Sequence, residues 1–372
     1  MKYKYIAFLI FAIFFFFIFN YKSAAQSSRT IVTPIEFGLE AHAGFVLKHT
    51  KKLDPIPIGT PYGFQFYYQR NTIGTKPWQQ LYRYPSYGFS LALFDLGNKS
   101  ILGQAALVIA YLQINMLRTK LSAVTWSFGT GIAYCNTVYN AETNRLNQAI
   151  SANLNYTMQT QFAFNNQLTP RIKLKAAAGM THISNGSIKK PNLGINIPSA
   201  SLGVFYNPYS TKVSYRKDSI SLAGRPVNLT VAYQVSFSRL DTTSKKLYPA
   251  HIVSIYLSKK VSHLHSFLLG VDGIYDYAVM ADIKTQKGWG LELESDRTER
   301  VALVAGHELS INHFALTSQF CYYVYKPFKS KTWAYQRFQL KYYVTKNIFA
   351  ACALRTHFGT ADGIEFAAGL KL

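Results

Sequence analysis

The chain has 372 residues, a formal net charge of +23, only 15% charged residues, and 27 Tyr and 26 Phe. Charged residues make up about a quarter of an ordinary soluble protein, so this balance argues against a soluble domain. Its three cysteines cannot form a disulfide framework and leave at least one thiol unpaired.

In chain order, Met1-Lys2-Tyr3-Lys4 precedes an apolar run from Ile6 to Phe19, and then comes Ser23-Ala24-Ala25. That is the layout of a secretory signal peptide, residues 1–25, with cleavage expected after Ala25. Gln26 rather than Cys follows, so no lipoprotein anchor is expected. Beyond it no apolar run approaches the roughly 18 residues of a helical span, so any membrane crossing must be β. An exported chain has phosphorylated lipid headgroups as anionic neighbours, and nucleic acid is excluded as a partner.

From there the sequence alternates with a period of two. Phe37, Leu39, Ala41, Ala43, Phe45 and Leu47 interleave with mostly polar or small residues, as do Ala152, Leu154, Tyr156, Met158 and Phe162. Val227, Leu229, Val231, Tyr233, Val235 and Phe237 repeat the pattern, and Ile364, Phe366, Ala368, Leu370 and Leu372 carry it to the last residue. These runs exceed the five or six residues of a soluble strand and match a tilted transmembrane strand, apolar outside and polar inside. The polar faces are mostly Asn, Gln, Ser, Thr and Gly, which suits a hydrated lumen better than the outside of a soluble sandwich. The expectation is an all-β protein: one transmembrane antiparallel β-barrel over residues 26–372, with about 14 strands (12–16). Two stretches strain that topology, Asn71–Pro85 and Tyr209–Arg225, which would be long connections at the rim where short turns are usual.

One strand, from about Arg171 to Asn185, carries chemistry. Ile172, Leu174, Ala176, Ala178, Met180, His182 and Ser184 share one face, and Arg171, Lys173 and Lys175 lie on the other. The apolar face meets lipid, so His182 and Ser184 look outward while the basic residues line the lumen. At ~3.3 Å per residue and ~40° tilt, the strand climbs roughly 30 Å between Ile172 and Ser184. The pair then sits at one rim, at the level of lipid ester bonds, and the strand order assigns it to the outer leaflet. A histidine two residues from a serine on one strand face is a general base beside a nucleophile, the minimum for acyl transfer. Asn185 and the Gly186 backbone N–H are candidates for stabilising the oxyanion. Lys189 and Lys190 follow in the loop and could contact phosphates as point charges.

His182-Ile183-Ser184-Asn185-Gly186, followed by Pro191-Asn192-Leu193-Gly194-Ile195-Asn196, resembles the lipid A 3-O-deacylases of the outer membrane, also known as acyloxyacyl hydrolases. The resemblance implies a barrel with a His-x-Ser-Asn motif: His182 the base, Ser184 the nucleophile, Asn185 in the oxyanion site. The family's third member is a Glu fourteen residues after the His, and here that position is Asn196. Asn196 can hold the imidazole tautomer through its amide oxygen but supplies no charge. A Ser-His-Asn set also resembles outer-membrane phospholipase A, a calcium-dependent dimer. The Arg-Ser-Trp-Asn-Arg surroundings of that enzyme are missing, and the Pro-Asn-x-Gly connection favours the deacylase.

The resulting expectation is an outer-membrane esterase that deacylates lipid A through Ser184, His182 and Asn196. It would have no metal or other cofactor, calcium entering only under the phospholipase alternative. A non-catalytic barrel, pore or anchor, is the rival of another class, distinguished by whether the lumen is plugged by the basic residues of the seventh strand. Monomer and homodimer both fit. Weaker candidates are Glu294 or Asp362 in place of Asn196, a metal on His263, His265 and His307, and a Cys321–Cys352 bridge, with Cys135 a wall residue.

Overall fold

The computed structural model describes residues 34–372 except 210–214, 219, 221–223, 225, 239–245, 294, 329–331 and 359. Residues 1–25, expected to be a signal peptide, lie outside the described residues. Period-two alternation becomes strand throughout. The first eight strands are β1 (Ile35–Gly44), β2 (Tyr62–Asn71), β3 (Ser86–Asp95) and β4 (Gln104–Arg118), then β5 (Ser122–Cys135), β6 (Leu154–Gln167), β7 (Ile172–Ser184) and β8 (Ile195–Tyr206). After a linker come β9 (Val227–Ser238), β10 (Tyr248–Lys260), β11 (His265–Asp276) and β12 (Arg300–Ile311). The last four are β13 (Phe314–Tyr325), β14 (Ala334–Tyr343), β15 (Ile348–His357) and β16 (Thr360–Lys371). Among the described residues two short α-helices, α1 (Pro77–Leu81) and α2 (Tyr277–Gly288), and a 3-10 turn at Lys51–Leu53 sit in connections.

The sixteen described strands close twice rather than once. β1 pairs with β8, from Phe37 opposite Tyr206 to Gly44 opposite Ser199. β9 pairs with β16, from Glu365 opposite Ser236 to Lys371 opposite Thr230. The single barrel expected from the sequence is therefore replaced by two eight-stranded ones. Alternation shows which residues face out, but nothing local in a strand says which distant strand it will meet. The double closure also explains one strained connection, because Tyr209–Arg225 is the linker between barrels. The other, Asn71–Pro85, contains α1 and no extra hairpin. It packs on that linker: the Tyr84 and Tyr215 rings are 4.6 Å apart, and the Arg216 N–H donates to Ile73 O at 2.8 Å.

An eight-stranded barrel is just wide enough to be filled by its own side chains. In the first barrel Lys175 of β7 donates to Glu40 of β1 at 2.8 Å and to Gln161 of β6 at 3.0 Å. Gln65 of β2 meets Gln159 of β6 across the lumen at 3.0 Å, and Lys173 pairs with Glu36. In the second barrel Arg337 bridges Asp272 at 2.8 Å and Glu365 at 2.6 Å, and Lys341 pairs with Glu308 at 2.6 Å. Both lumens are filled by packed side chains, the ion pairs and amides sharing each interior with an apolar cluster that includes Ile109, Ile183 and Ile195 in the first barrel and Ile252 and Val304 in the second. The first is plugged by the basic residues of its seventh strand, which is not how a pore is built. The outward faces are apolar and open, as at Leu93 (68% exposed), Leu202 (70%) and Leu269 (68%). That is the inverse of a soluble core and fits a lipid surround.

The three cysteines are free: Cys135 and Cys321 are buried and Cys352 is exposed. Cys321 and Cys352 thus sit in opposite environments, and no bridge joins them.

Lys175 and Glu40 are almost fully buried, so removing one partner strands the other charge in the lumen, at a cost of about 3–5 kcal/mol. Lys175→Ala should therefore lower guanidinium stability in detergent by that amount, and Lys175→Ala with Glu40→Ala should recover most of it. Lys189→Ala, at an exposed loop position, should stay within about 0.5 kcal/mol of the wild type.

Candidate active site

β7 places its residues as its alternation dictates. Ile172, Leu174, Ala176, Ala178 and Met180 are exposed, while Lys175, Ala177 and Thr181 are buried. His182 and Ser184 continue the outward row to the rim where β1, β3, β5 and β7 end. Across the ladder, Ser184 lies opposite Tyr156 of β6, and His182 lies between Met158 of β6 and Asn196 of β8. The fourteen-residue interval from His182 to Asn196 is thus a hairpin register: the two are direct cross-strand partners.

The three polar groups form one hydrogen-bonded series. His182 Nε2 is 2.9 Å from Ser184 Oγ, and His182 Nδ1 is 2.7 Å from Asn196 Oδ1. An amide oxygen only accepts, so the ring proton sits on Nδ1 and Nε2 is left to accept from the serine hydroxyl. Ser184 is only 4% exposed because the 185–194 connection folds over it. Gly194, at φ +77°, lies so close that an added Cβ would come within 3.0 Å of His182 Cε1 and 3.3 Å of Ser184 Cβ. Only glycine both takes that backbone and fits so close over the pair.

Asn185 ties this loop together. Its N–H donates to Asn192 Oδ1 at 2.9 Å, and its side-chain amide donates to Ser151 Oγ at 3.1 Å and Lys189 O at 3.0 Å. The loop is further stitched to residues 148–151, with Gly194 N–H on Ala149 O at 3.0 Å and Leu193 N–H on Gln148 O at 3.2 Å. Both Asn185 amide groups are engaged in the loop, so the side chain expected at the oxyanion acts here as a brace. Gly186 follows at φ +61°, packed against the second barrel: an added Cβ would lie 2.5 Å from Ile364 Cγ1 of β16. Lys189 is exposed and Lys190 partly so, both beside the nucleophile in sequence.

Reading along the chain misses what tertiary closure adds. Tyr156 and Met158 flank the pair from β6, and Tyr156 is held by a 2.6 Å hydrogen bond from Thr130. Past the end of β1, Leu47 N–H still donates to Asn196 O at 2.8 Å, which carries His49 to the far side of the Asn196 amide. No local motif marks His49. Of the rival residues, Asp362 is paired with Arg355 at 2.7 Å in the second barrel, and Glu294 lies outside the described residues. His265 and His307 share a 2.9 Å contact, but among the described residues no group of three or more His, Cys, Asp or Glu is placed to hold a metal.

A closed barrel with serine, histidine and asparagine in hydrogen-bonded series at its rim is an arrangement suited to ester hydrolysis at a membrane. The family profile described as "Lipid A 3-O-deacylase (PagL)" matches residues 62–205, and that described as "Acyloxyacyl hydrolase, C-terminal domain" matches residues 225–372. The chain belongs to this family of outer-membrane lipid A deacylases and is an ester hydrolase acting on lipid A. The two matches part at the linker, so each falls within one barrel, the first from β2 to β8 and the second from β9 to β16. Solved structures similar to it include the P. putida toluene transporter TodX (9% identity, TM-score 0.18, 91% of this chain and 87% of that one). A triple mutant of the Rhodopseudomonas blastica porin is similar at 5% identity and TM-score 0.17, over 91% of this chain and 99% of that one. The siderophore receptor PirA from Acinetobacter baumannii is similar at 11% identity and TM-score 0.23, over 88% of this chain and 44% of that one. No curated protein matches the chain.

The Gly186 contact makes a stability prediction. Gly290 has a similar left-handed backbone (φ +75°) with nothing within 4 Å of an added Cβ. Alanine at either site should cost about 1–2 kcal/mol for its backbone, and Gly186→Ala about 1–3 kcal/mol more from crowding Ile364. Thermal unfolding should show that extra loss, and Ile364→Ala should relieve it.

Proposed function

We propose that Ser184 is the nucleophile, His182 its general base and Asn196 the group that orients His182, in deacylation of lipid A at the outer leaflet. The observation that carries this reading is the unbroken series from Ser184 Oγ through His182 to Asn196 Oδ1, at 2.9 and 2.7 Å. As Ser184 Oγ bonds to the ester carbonyl carbon, its proton passes to His182 Nε2. The peptide N–H of Gly186 is the donor offered to the oxyanion, since the Asn185 amide is engaged in the loop. The carbon–oxygen bond to the sugar then breaks, the sugar oxygen takes the proton back from His182, and the acyl group remains on Ser184. Water, deprotonated by His182, then bonds to the acyl carbon, the bond from that carbon to Ser184 Oγ breaks, and Oγ takes the proton back from His182 as the fatty acid leaves. Asn196 fixes the imidazole tautomer through both steps without adding charge.

The reaction as written draws on no cofactor. The 3-O ester named by the family description is the bond proposed for attack. Lys189 and Lys190, in the loop that follows the nucleophile, are the point charges proposed for the lipid A phosphates. Export through the residue 1–25 signal peptide completes the reading.

Mass spectrometry of lipid A and phospholipids from cells expressing wild type and variants tests it. Wild type should remove one acyl chain from lipid A, and Ser184→Ala should slow this about a thousandfold or more. Because the two residues act as a unit, His182→Ala should cost about the same and the double variant no more. Calcium-dependent lysophospholipid formation with lipid A intact would transfer the protein to the phospholipase reading. Full activity in Ser184→Ala would contradict both.

A further inference from the structure

We infer that His49 is a positioning residue for this reaction, acting through Asn196 on His182; the inference rests on the catalytic reading above. An asparagine amide has two unlike ends, and only one serves. With Oδ1 toward His182, Nδ1 carries the ring proton and Nε2 accepts from Ser184. With the amide reversed, Nδ2 would donate to His182 Nδ1, the ring proton would move to Nε2, and the imidazole would donate to the serine instead of accepting from it. Which end faces His182 is decided by what lies beyond the other end.

Beyond it lies His49. Asn196 Nδ2 is 3.3 Å from His49 Nδ1, and His49 Nε2 is 3.0 Å from the Leu193 carbonyl. A carbonyl can only accept, so Nε2 carries the His49 proton and Nδ1 is an acceptor, which the Nδ2 end of Asn196 satisfies. His49 Nδ1 is also 3.3 Å from Leu47 O, a contact that would need the proton on Nδ1. The shorter Leu193 contact decides the tautomer. Neighbouring charge does not compete, because Lys48 Nζ is turned to the carbonyls of Asp54 at 3.0 Å and Ile56 at 2.8 Å. Proton positions are thus fixed in sequence from the Leu193 carbonyl through His49, Asn196 and His182 to Ser184. A carboxylate beside His182 would need no such partner, since both its ends accept.

The test is fatty-acid release from lipid A by the purified full chain, with kcat and KM measured separately and folding checked by thermal unfolding. His49→Gln keeps an acceptor for Asn196 and a donor for Leu193, and should hold kcat within about twofold. His49→Ala should lower kcat roughly three- to tenfold with KM unchanged, the worth of one hydrogen bond. His49→Lys, which can only donate and so favours the reversed amide, should fall further. In an Asn196→Asp background, where either end of the group accepts, His49→Ala and His49→Lys should each change kcat by less than about twofold. A purely structural role for His49 would cost the same in both backgrounds, and equal losses would overturn the inference. So would His49→Lys as active as wild type, a comparison that stands even if Asn196→Asp fails to fold. Ser184→Ala separates the two levels: if it stays active the catalytic reading fails, and if it is inactive the His49 results speak to the inference alone.

Discussion

The closure of β1 on β8 is the constraint on which the site depends. It makes a barrel narrow enough that Glu40 of β1 reaches past β8 to Lys175 of β7, so a buried ion pair is held inside the lumen. It also lays the chain leaving β1 against the start of β8, with Phe45 N–H on Pro198 O at 3.1 Å and Leu47 N–H on Asn196 O at 2.8 Å. The same closure therefore fills the interior and delivers His49 to Asn196.

β7 serves two environments at once. Its inward residues are bonded into the lumen, and its outward row runs apolar through the lipid band until His182 and Ser184 at the rim. A serine and a histidine there have few polar partners to choose from, which favours the short series the structure shows. The 185–194 connection shelters that series, with Gly194 close over the pair and Asn185 holding the loop to Ser151. The second barrel also reaches this loop, through Ile364 at Gly186. It is thus part of the structure around the site as well as a second span.

Much of this was legible in the sequence, and the limits have physical causes. A period of two fixes inward and outward faces, so the β class, the apolar exterior and the orientation of His182 and Ser184 follow directly. Asn196 was readable because a hairpin keeps its partners close along the chain. The double closure was not, since β1 and β8 are joined by pairing between distant segments, and about 14 strands in one barrel fit the alternation as well as sixteen in two. Asn185 was expected at the oxyanion because it follows the nucleophile; its bonds to Ser151 and Lys189 depend on a loop fold that composition does not reveal. His49 was invisible for the same reason as the closure that positions it.

The central claim is that Ser184, activated by His182, attacks an ester. Its most direct measurement is covalent labelling of the folded, membrane-reconstituted protein with an acyl-chain-bearing phosphonate, followed by peptide mass spectrometry. The account predicts a single adduct on Ser184, lost in His182→Ala while Lys175 and Glu40 still hold the barrel folded. An adduct on another residue, or lipid A deacylation that continues with Ser184 unlabelled, would contradict it.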